Sequence, residues 1–328
     1  MNHAAKSGSL TRLTGIDDVH MAAKRINNLV HRTPVLTCQA LNEALGHRVF
    51  LKCENFQKVG AFKFRGACNA VFSLDDAEAK NGVIAHSSGN HAQALALAAR
   101  LRGIPAYIVM PSNAPQVKKD AVAGYGGYIT FCEPTLQARE STQDKIIQKT
   151  GARVVHPYDN DLVIAGQGTA ALELLQEVPD LDIVMTPVGG GGLLAGTALV
   201  VASFNPKVKT IGAEPEAADD AARSLAAGHI IPSENPATIA DGLLTSLGSR
   251  NFEIITDSVD SIVTVSEASI VRAMRFVWER IKIIIEPSAA VPIAALFEKR
   301  VGQGPKNIGI IISGGNVDLG SLPWNHES

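Results

Sequence analysis

The feature that most constrains the fold is a repeated alternation of short β-branched runs with segments of helical period. Residues 82–86, 104–110, 128–132 and 152–156 read as strands. Helix-like stretches at 88–101 and 115–123, and a helix running to 150, separate them, with Gly103 and Gly124 as stops. The series then begins again, with a helix at 168–178, a strand at 182–186 and a helix at 193–204. Further strands follow at 209–213, 261–265 and 307–312. Between the last two, Ile270, Ala273, Met274, Val277, Trp278 and Ile281 share one face of an amphipathic helix. Parallel strands need helical crossovers, and those helices cover both faces of the sheet. Two such series predict an α/β protein with two three-layer lobes and mostly parallel sheets, and 328 residues suffice for both. Ligands of such sheets lie beyond the carboxyl ends of the strands.

Composition narrows the partners. A net charge of −2 with scattered lysines and arginines gives no reason to expect a nucleic acid or an anionic membrane surface. No run approaches the ~18 apolar residues of a membrane span. The four cysteines form no C-x-x-C pair and no zinc-ligand spacing, so they read as free, buried thiols of a reducing compartment. Residues 1–18 are polar and lack the apolar run of a signal peptide. A cytoplasmic location is the expectation.

Four consecutive glycines, Gly189, Gly190, Gly191 and Gly192, lie between a predicted strand and a predicted helix. Such a loop lets backbone N–H groups converge on a phosphate at a helix N-terminus. Two cofactors remain open at this point. Gly190, Gly192 and Ala195 satisfy G-x-G-x-x-A, and Glu214 stands where a ribose-binding carboxylate would, as in a dinucleotide-dependent oxidoreductase. The other possibility is at 60–66, GAFKFRG, where Lys63 is flanked by aromatic residues with Arg65 close by. Apolar surroundings and a neighbouring cation favour the amine form that a Schiff-base lysine requires, although a surface lysine at a helix start also fits.

Taken in order, GAFKFRG, SSGNHAQA at 87–94, GGGG at 189–192 and SGGN at 313–316 resemble the fold-type II enzymes dependent on pyridoxal 5'-phosphate (PLP). This is the tryptophan synthase β-like fold, and the likeness is to its serine racemase and serine/threonine dehydratase branch. It runs from about Ile16 to Leu319. The resemblance implies that Lys63 carries PLP as a Schiff base with Phe62 against the cofactor. It implies that Asn90 meets the phenolic oxygen, that residues 189–192 bind the phosphate, and that Ser313 meets the pyridine nitrogen. Ser87, Ser88, Asn90 and His91 fall at a helix start suited to a substrate carboxylate. Ser88 takes the place of the acid/base opposite Lys63.

Further expectations rest on the same resemblance. Glu214, the carbonyl of Ala218 and Asp220 match a divalent-cation site for Mg²⁺, with Ca²⁺ or Mn²⁺ as alternatives, although composition alone favours a solvated acidic loop. Asp241 stands near the β-hydroxyl of the substrate, and Thr245 where relatives often have serine. Arg139 stands where an arginine meets dicarboxylates, which makes 3-hydroxyaspartate a substrate to consider beside serine; a solvated helix residue is the other reading. Gln93, Tyr125, Arg280 and Lys282 match positions that contact ATP as an activator. The resemblance also implies a homodimer. The expected activity is racemisation of serine with α,β-elimination of water, or dedicated dehydration of serine, threonine or 3-hydroxyaspartate. The expected organisation is a small mobile domain, 82–159, inserted into a large one made of 1–81 and 160–328.

Overall fold

The computed structural model describes residues 13–302 and 304–326. Ten strands are found in that span: β1 (Val35–Leu36), β2 (Arg48–Cys53), β3 (Val83–His86), β4 (Ala106–Pro111), β5 (Tyr128–Cys132), β6 (Arg153–Val154), β7 (Ile183–Pro187), β8 (Lys209–Pro215), β9 (Ser261–Val265) and β10 (Asn307–Ile312). They form a six-stranded sheet in the order β1-β2-β10-β7-β8-β9 and a four-stranded sheet in the order β5-β4-β3-β6. The β1–β2 pair is antiparallel and the other described pairs are parallel. The fold is that of an α/β protein with mostly parallel sheets, as the alternation predicts.

The four-stranded sheet comes from one contiguous stretch of chain, and the six-stranded sheet from the segments on either side of it. Their cores are not separate. Leu95, Ala99, Ile108 and Met110 pack with Ile26, Val59, Phe64, Ala67 and Val71, which precede the first strand of the smaller sheet. Helix Lys63–Ser73 is shared by the two parts, because it packs on both Asn90–Arg102 and Asp161–Glu177. Close approach is possible where Gly66 faces Gly166: a Cβ on Gly166 would lie 2.6 Å from the Gly66 Cα.

A buried ionic cluster fixes that helix. Arg65, fully buried, donates to both oxygens of Glu54 at 2.7 and 2.8 Å and to both oxygens of Glu173 at 2.8 and 2.9 Å. Lys52 donates to Glu173 and to the Thr33 carbonyl, each at 2.6 Å. Two cations meet two carboxylates, so no charge is left uncompensated in a setting where an unpaired one is very costly.

Several helices lie outside the sequence-based expectations, Pro287–Phe297 and Ile16–Ile26 among them. Pro287–Phe297 is buried over nearly its whole length, from Ser288 to Leu296, so its sequence carries no polar face and no helical period. Ile16–Ile26 packs its Val19, Ala22 and Ile26 inward.

Candidate active site

Three of the motif loops leave the carboxyl ends of strands, two from adjacent strands of the larger sheet and one from the smaller sheet, where the topology places ligands. The glycine loop follows β7, Ser313 follows β10 and Ser87 follows β3. The fourth motif is tied to them by backbone. Phe62 N donates to the Ser313 carbonyl at 2.9 Å, Gly315 N to the Gly60 carbonyl at 2.9 Å, and Ala61 bridges Gly314.

Lys63 opens helix Lys63–Ser73. Its Nζ donates to the Pro157 carbonyl at 2.8 Å and lies 5.2 Å from the centre of the Phe62 ring. Burial lowers its pKa to about 8, against the opposing charge of Glu286. The amine is therefore available as a nucleophile not far above neutrality. Arg65 has no part in this, contrary to the sequence expectation. It is two residues on, its side chain points away into the ionic cluster, and its charge is consumed there by Glu54 and Glu173.

The glycine loop is shaped by its neighbours. Gly191 takes φ 91° and caps helix Gly192–Phe204, a conformation costly for any other residue. A Cβ at Gly190 would lie 2.2 Å from Cγ of Tyr158, and one at Gly189 would lie 2.9 Å from the Gly242 carbonyl. Asn251 Nδ2 holds the Gly190 carbonyl at 2.7 Å, leaving the loop N–H groups at the helix N-terminus to face an anion.

The helix after β3 is Asn90–Arg102 with Gly89 as its N-cap, two residues later than the sequence reading. Ser88 thus lies in the turn before the helix, and Ser87 Oγ accepts from Gly89 N at 3.3 Å. Asn90 Nδ2 donates to both oxygens of Glu286, at 3.1 and 3.2 Å, and its Oδ1 accepts from Asn316 Nδ2 at 2.9 Å. His91 is buried with Nε2 2.9 Å from the Val155 carbonyl. Burial and then the Lys63 charge push its pKa down to about 3, so the ring is neutral.

Glu286 is the residue that sequence reasoning missed. It is buried, and it also accepts from Asn316 N at 3.2 Å. Burial and then the charge of Asp241 raise its pKa to about 7. Its one local signal is a glutamate just before Pro287 at a helix start, which says nothing of what it faces. Ser313 Oγ, by contrast, is buried and finds no hydrogen-bond partner among the described residues.

The remaining candidates spread around this centre. Arg139 has a buried Nε without a hydrogen-bond partner, and its charge helps lower the pKa of His86 at the end of β3, after burial. Asp241 is paired with Lys118 at 2.6 Å, and Thr245 hydrogen-bonds Tyr158. Glu214 accepts from Ala221 N at 3.1 Å and Ala222 N at 2.8 Å. Both carboxylate oxygens of Asp220 are buried without a hydrogen-bond partner. Burial first raises both groups, Glu214 to about 8 and Asp220 to about 6. Two such carboxylates and the carbonyl of Ala218 suit one hard cation, while no group of three or more His, Cys, Asp or Glu ligands occurs among the described residues. Gln93 is buried on helix Asn90–Arg102, Tyr125 stacks under Arg100 at 5.9 Å, and Arg280 and Lys282 lie at the end of helix Glu267–Arg280. Among the described residues, no hydrogen bond or ion pair joins the first two to the last two.

A lysine with a lowered pKa, a glycine cradle and a buried hydroxyl without a partner fit PLP. The model for pyridoxal-phosphate dependent enzymes matches residues 26–314. This chain belongs to that family. Within these PLP-dependent enzymes it is 51% identical over 309 residues to β-hydroxyaspartate dehydratase of Paracoccus denitrificans, covering 94% of this chain and 98% of the relative. It is also 51% identical over 312 residues to serine racemase of Dictyostelium discoideum, covering 94% and 96%. The crystal structure of the Dictyostelium racemase superposes with a TM-score of 0.90 over 93% of this chain and 99% of that one. The fold is fold-type II, and the dinucleotide reading of the glycine loop falls. The matched PLP-dependent family takes in the loop, 189–192, and most of the chain. In this PLP-dependent enzyme no helix of the described residues is long and apolar enough to cross a membrane.

Proposed function

We propose that this enzyme racemises serine and eliminates water from serine, the released enamine then taking up water to give pyruvate and ammonia. The observation that carries the reading is Lys63, its pKa lowered to about 8, next to Phe62, whose N donates at 2.9 Å to the carbonyl of Ser313, the residue with a partnerless buried hydroxyl. PLP bound there supplies the electron sink that labilises the Cα proton of an amino acid. Lys63 would hold it covalently, with Phe62, Asn90 and residues 189–192 as the other residues that would bind it. A neutral serine toward the pyridine nitrogen, rather than a carboxylate, keeps the sink weak and favours prompt loss of a β-leaving group. Lys63 Nζ takes or returns the Cα proton on one face, and Ser88 Oγ does so on the other. Ser87, Asn90 and the helix N-terminus at residue 90 bind the substrate carboxylate, with neutral His91 beneath them.

Asp241 is assigned to the β-hydroxyl, Thr245 to the wall beside it, and Arg139 to a second carboxylate. A dedicated dehydratase is the second reading, and 3-hydroxyaspartate its substrate, favoured by equal identity to the Paracoccus dehydratase. We assign Mg²⁺ (or Ca²⁺ or Mn²⁺) to Glu214, Ala218 and Asp220, supported by the partnerless oxygens of Asp220. ATP as an activator belongs to Gln93, Tyr125, Arg280 and Lys282. A homodimer in the cytoplasm, with residues 82–159 closing over the remainder, completes the proposal.

The test is to give the PLP-loaded protein L-serine, D-serine, L-threonine and both 3-hydroxyaspartate diastereomers, with and without Mg²⁺ and ATP. Chiral amino acids and keto acids are then quantified. D-Serine and pyruvate are expected from L-serine. Ser88→Ala should cut D-serine formation by about 100-fold or more; undiminished racemisation removes Ser88 from the mechanism.

A further inference from the structure

The connector between β6 and helix Asp161–Glu177 carries Tyr158, to which none of the sequence motifs gives a task. Its ring lies face-on to Gly190: a Cβ there would sit 2.2, 2.3 and 2.4 Å from its Cγ, Cδ1 and Cδ2. The ring centre is 6.0 Å from Lys63 Nζ, and His156 packs edge-on at 4.6 Å.

The backbone that carries this ring is fixed on all sides. Tyr158 N and Asp159 N donate to His156 Nδ1 at 3.4 and 2.9 Å. Asn251 Nδ2 donates to the Tyr158 carbonyl at 3.2 Å and to the Gly190 carbonyl at 2.7 Å. The carboxylate of Asp159 accepts from Ser249 N at 3.2 Å and Arg250 N at 2.9 Å. The phenol is hydrogen-bonded to Thr245, and burial raises its pKa, so it is neutral.

Four glycines in a row form a loop with little stiffness of its own, since each adds backbone freedom that must be lost on ordering. A cradle that waits in its binding shape needs a wall. We propose that Tyr158 is that wall and a positioning residue of the reaction: its ring sets the shape of the phosphate loop, and its hydroxyl, through Thr245, sets the pocket wall beside the substrate β-carbon. This rests on the cofactor and substrate placement proposed above.

The test compares holoenzymes of Tyr158→Ala, Tyr158→Phe, Thr245→Val and the Tyr158→Phe/Thr245→Val double variant. Tyr158→Ala should weaken PLP affinity by about tenfold or more, because a preorganised cradle becomes a loose one. Tyr158→Phe keeps the ring, so PLP affinity should stay within about twofold while KM for L-serine rises about fivefold at nearly constant kcat, the worth of one hydrogen bond. Thr245→Val should give a KM shift at least as large, and the double variant no more than Thr245→Val alone. If Tyr158→Ala does not fold, Tyr158→Leu replaces it, with the same loss of PLP affinity expected. Unchanged PLP affinity on losing the ring, or unchanged KM in Tyr158→Phe, overturns the proposal. A wild-type protein without the borohydride-sensitive band at about 410–420 nm overturns the PLP placement instead, so the two failures are separable.

Discussion

Glu286 shows how much one buried carboxylate can set. It orients Asn90 and Asn316 together, and its charge is what keeps Lys63 from falling further below the ordinary lysine range. Because the folded pKa of Lys63 is lowered to about 8, the reactive amine gains population as pH rises through that value. The rate at which stripped protein takes up PLP should therefore climb through about pH 8 and then level. In Glu286→Gln the supporting charge is gone, so the same profile should move to lower pH; stopped-flow absorbance at several pH values measures it. Arg65 gives a second prediction at this scale. Arg65→Met leaves Glu54 and Glu173 buried with one cation fewer, and denaturant unfolding should show a loss of about 3–5 kcal/mol.

Among the elements, the glycine loop is the most exacting. Gly190→Ala places a methyl against the Tyr158 ring, where 2.2 Å is available. Either the ring or the loop must move, and equilibrium dialysis should show PLP affinity lowered by about tenfold or more, with helix content by circular dichroism unchanged. The loop itself was legible in the sequence, and so were β5, β9 and β10, because alternation and glycine stops are local signals. The parts that escaped are those whose meaning is long-range. Helix Pro287–Phe297 has no polar side to give a period, and Glu286 at its start faces a loop that follows β10. Tyr158 reads as an ordinary turn residue until Gly190 is seen beneath it. The pairing of Arg65 was misjudged for a related reason: nearness in sequence to Lys63 does not fix side-chain direction on a helix. Ser313, and the acid/base role of Ser88, were singled out by resemblance and by no physical pattern in the chain.

For the molecule as a whole, the Lys118–Asp241 pair joins a helix packed beside the four-stranded sheet to the loop that rests on the glycine cradle. If residues 82–159 close over the substrate, this pair fastens the closed form. Both partners remain partly exposed, and such pairs contribute about 0–1 kcal/mol. Lys118→Met should therefore raise KM by less than about fivefold, and raising the salt concentration should blunt the difference, as steady-state assays across ionic strength would show. The strand order carries a different consequence. The last strand in the chain, β10, lies between β2 and β7 in the middle of the larger sheet, while the smaller sheet is complete by β6. During synthesis the smaller sheet has all its strands long before the larger one, whose β2 must wait for about 250 residues to emerge at roughly 5–20 residues per second. For tens of seconds the nascent protein presents an unpaired apolar edge, which makes a holding chaperone at the ribosome a natural companion of its birth.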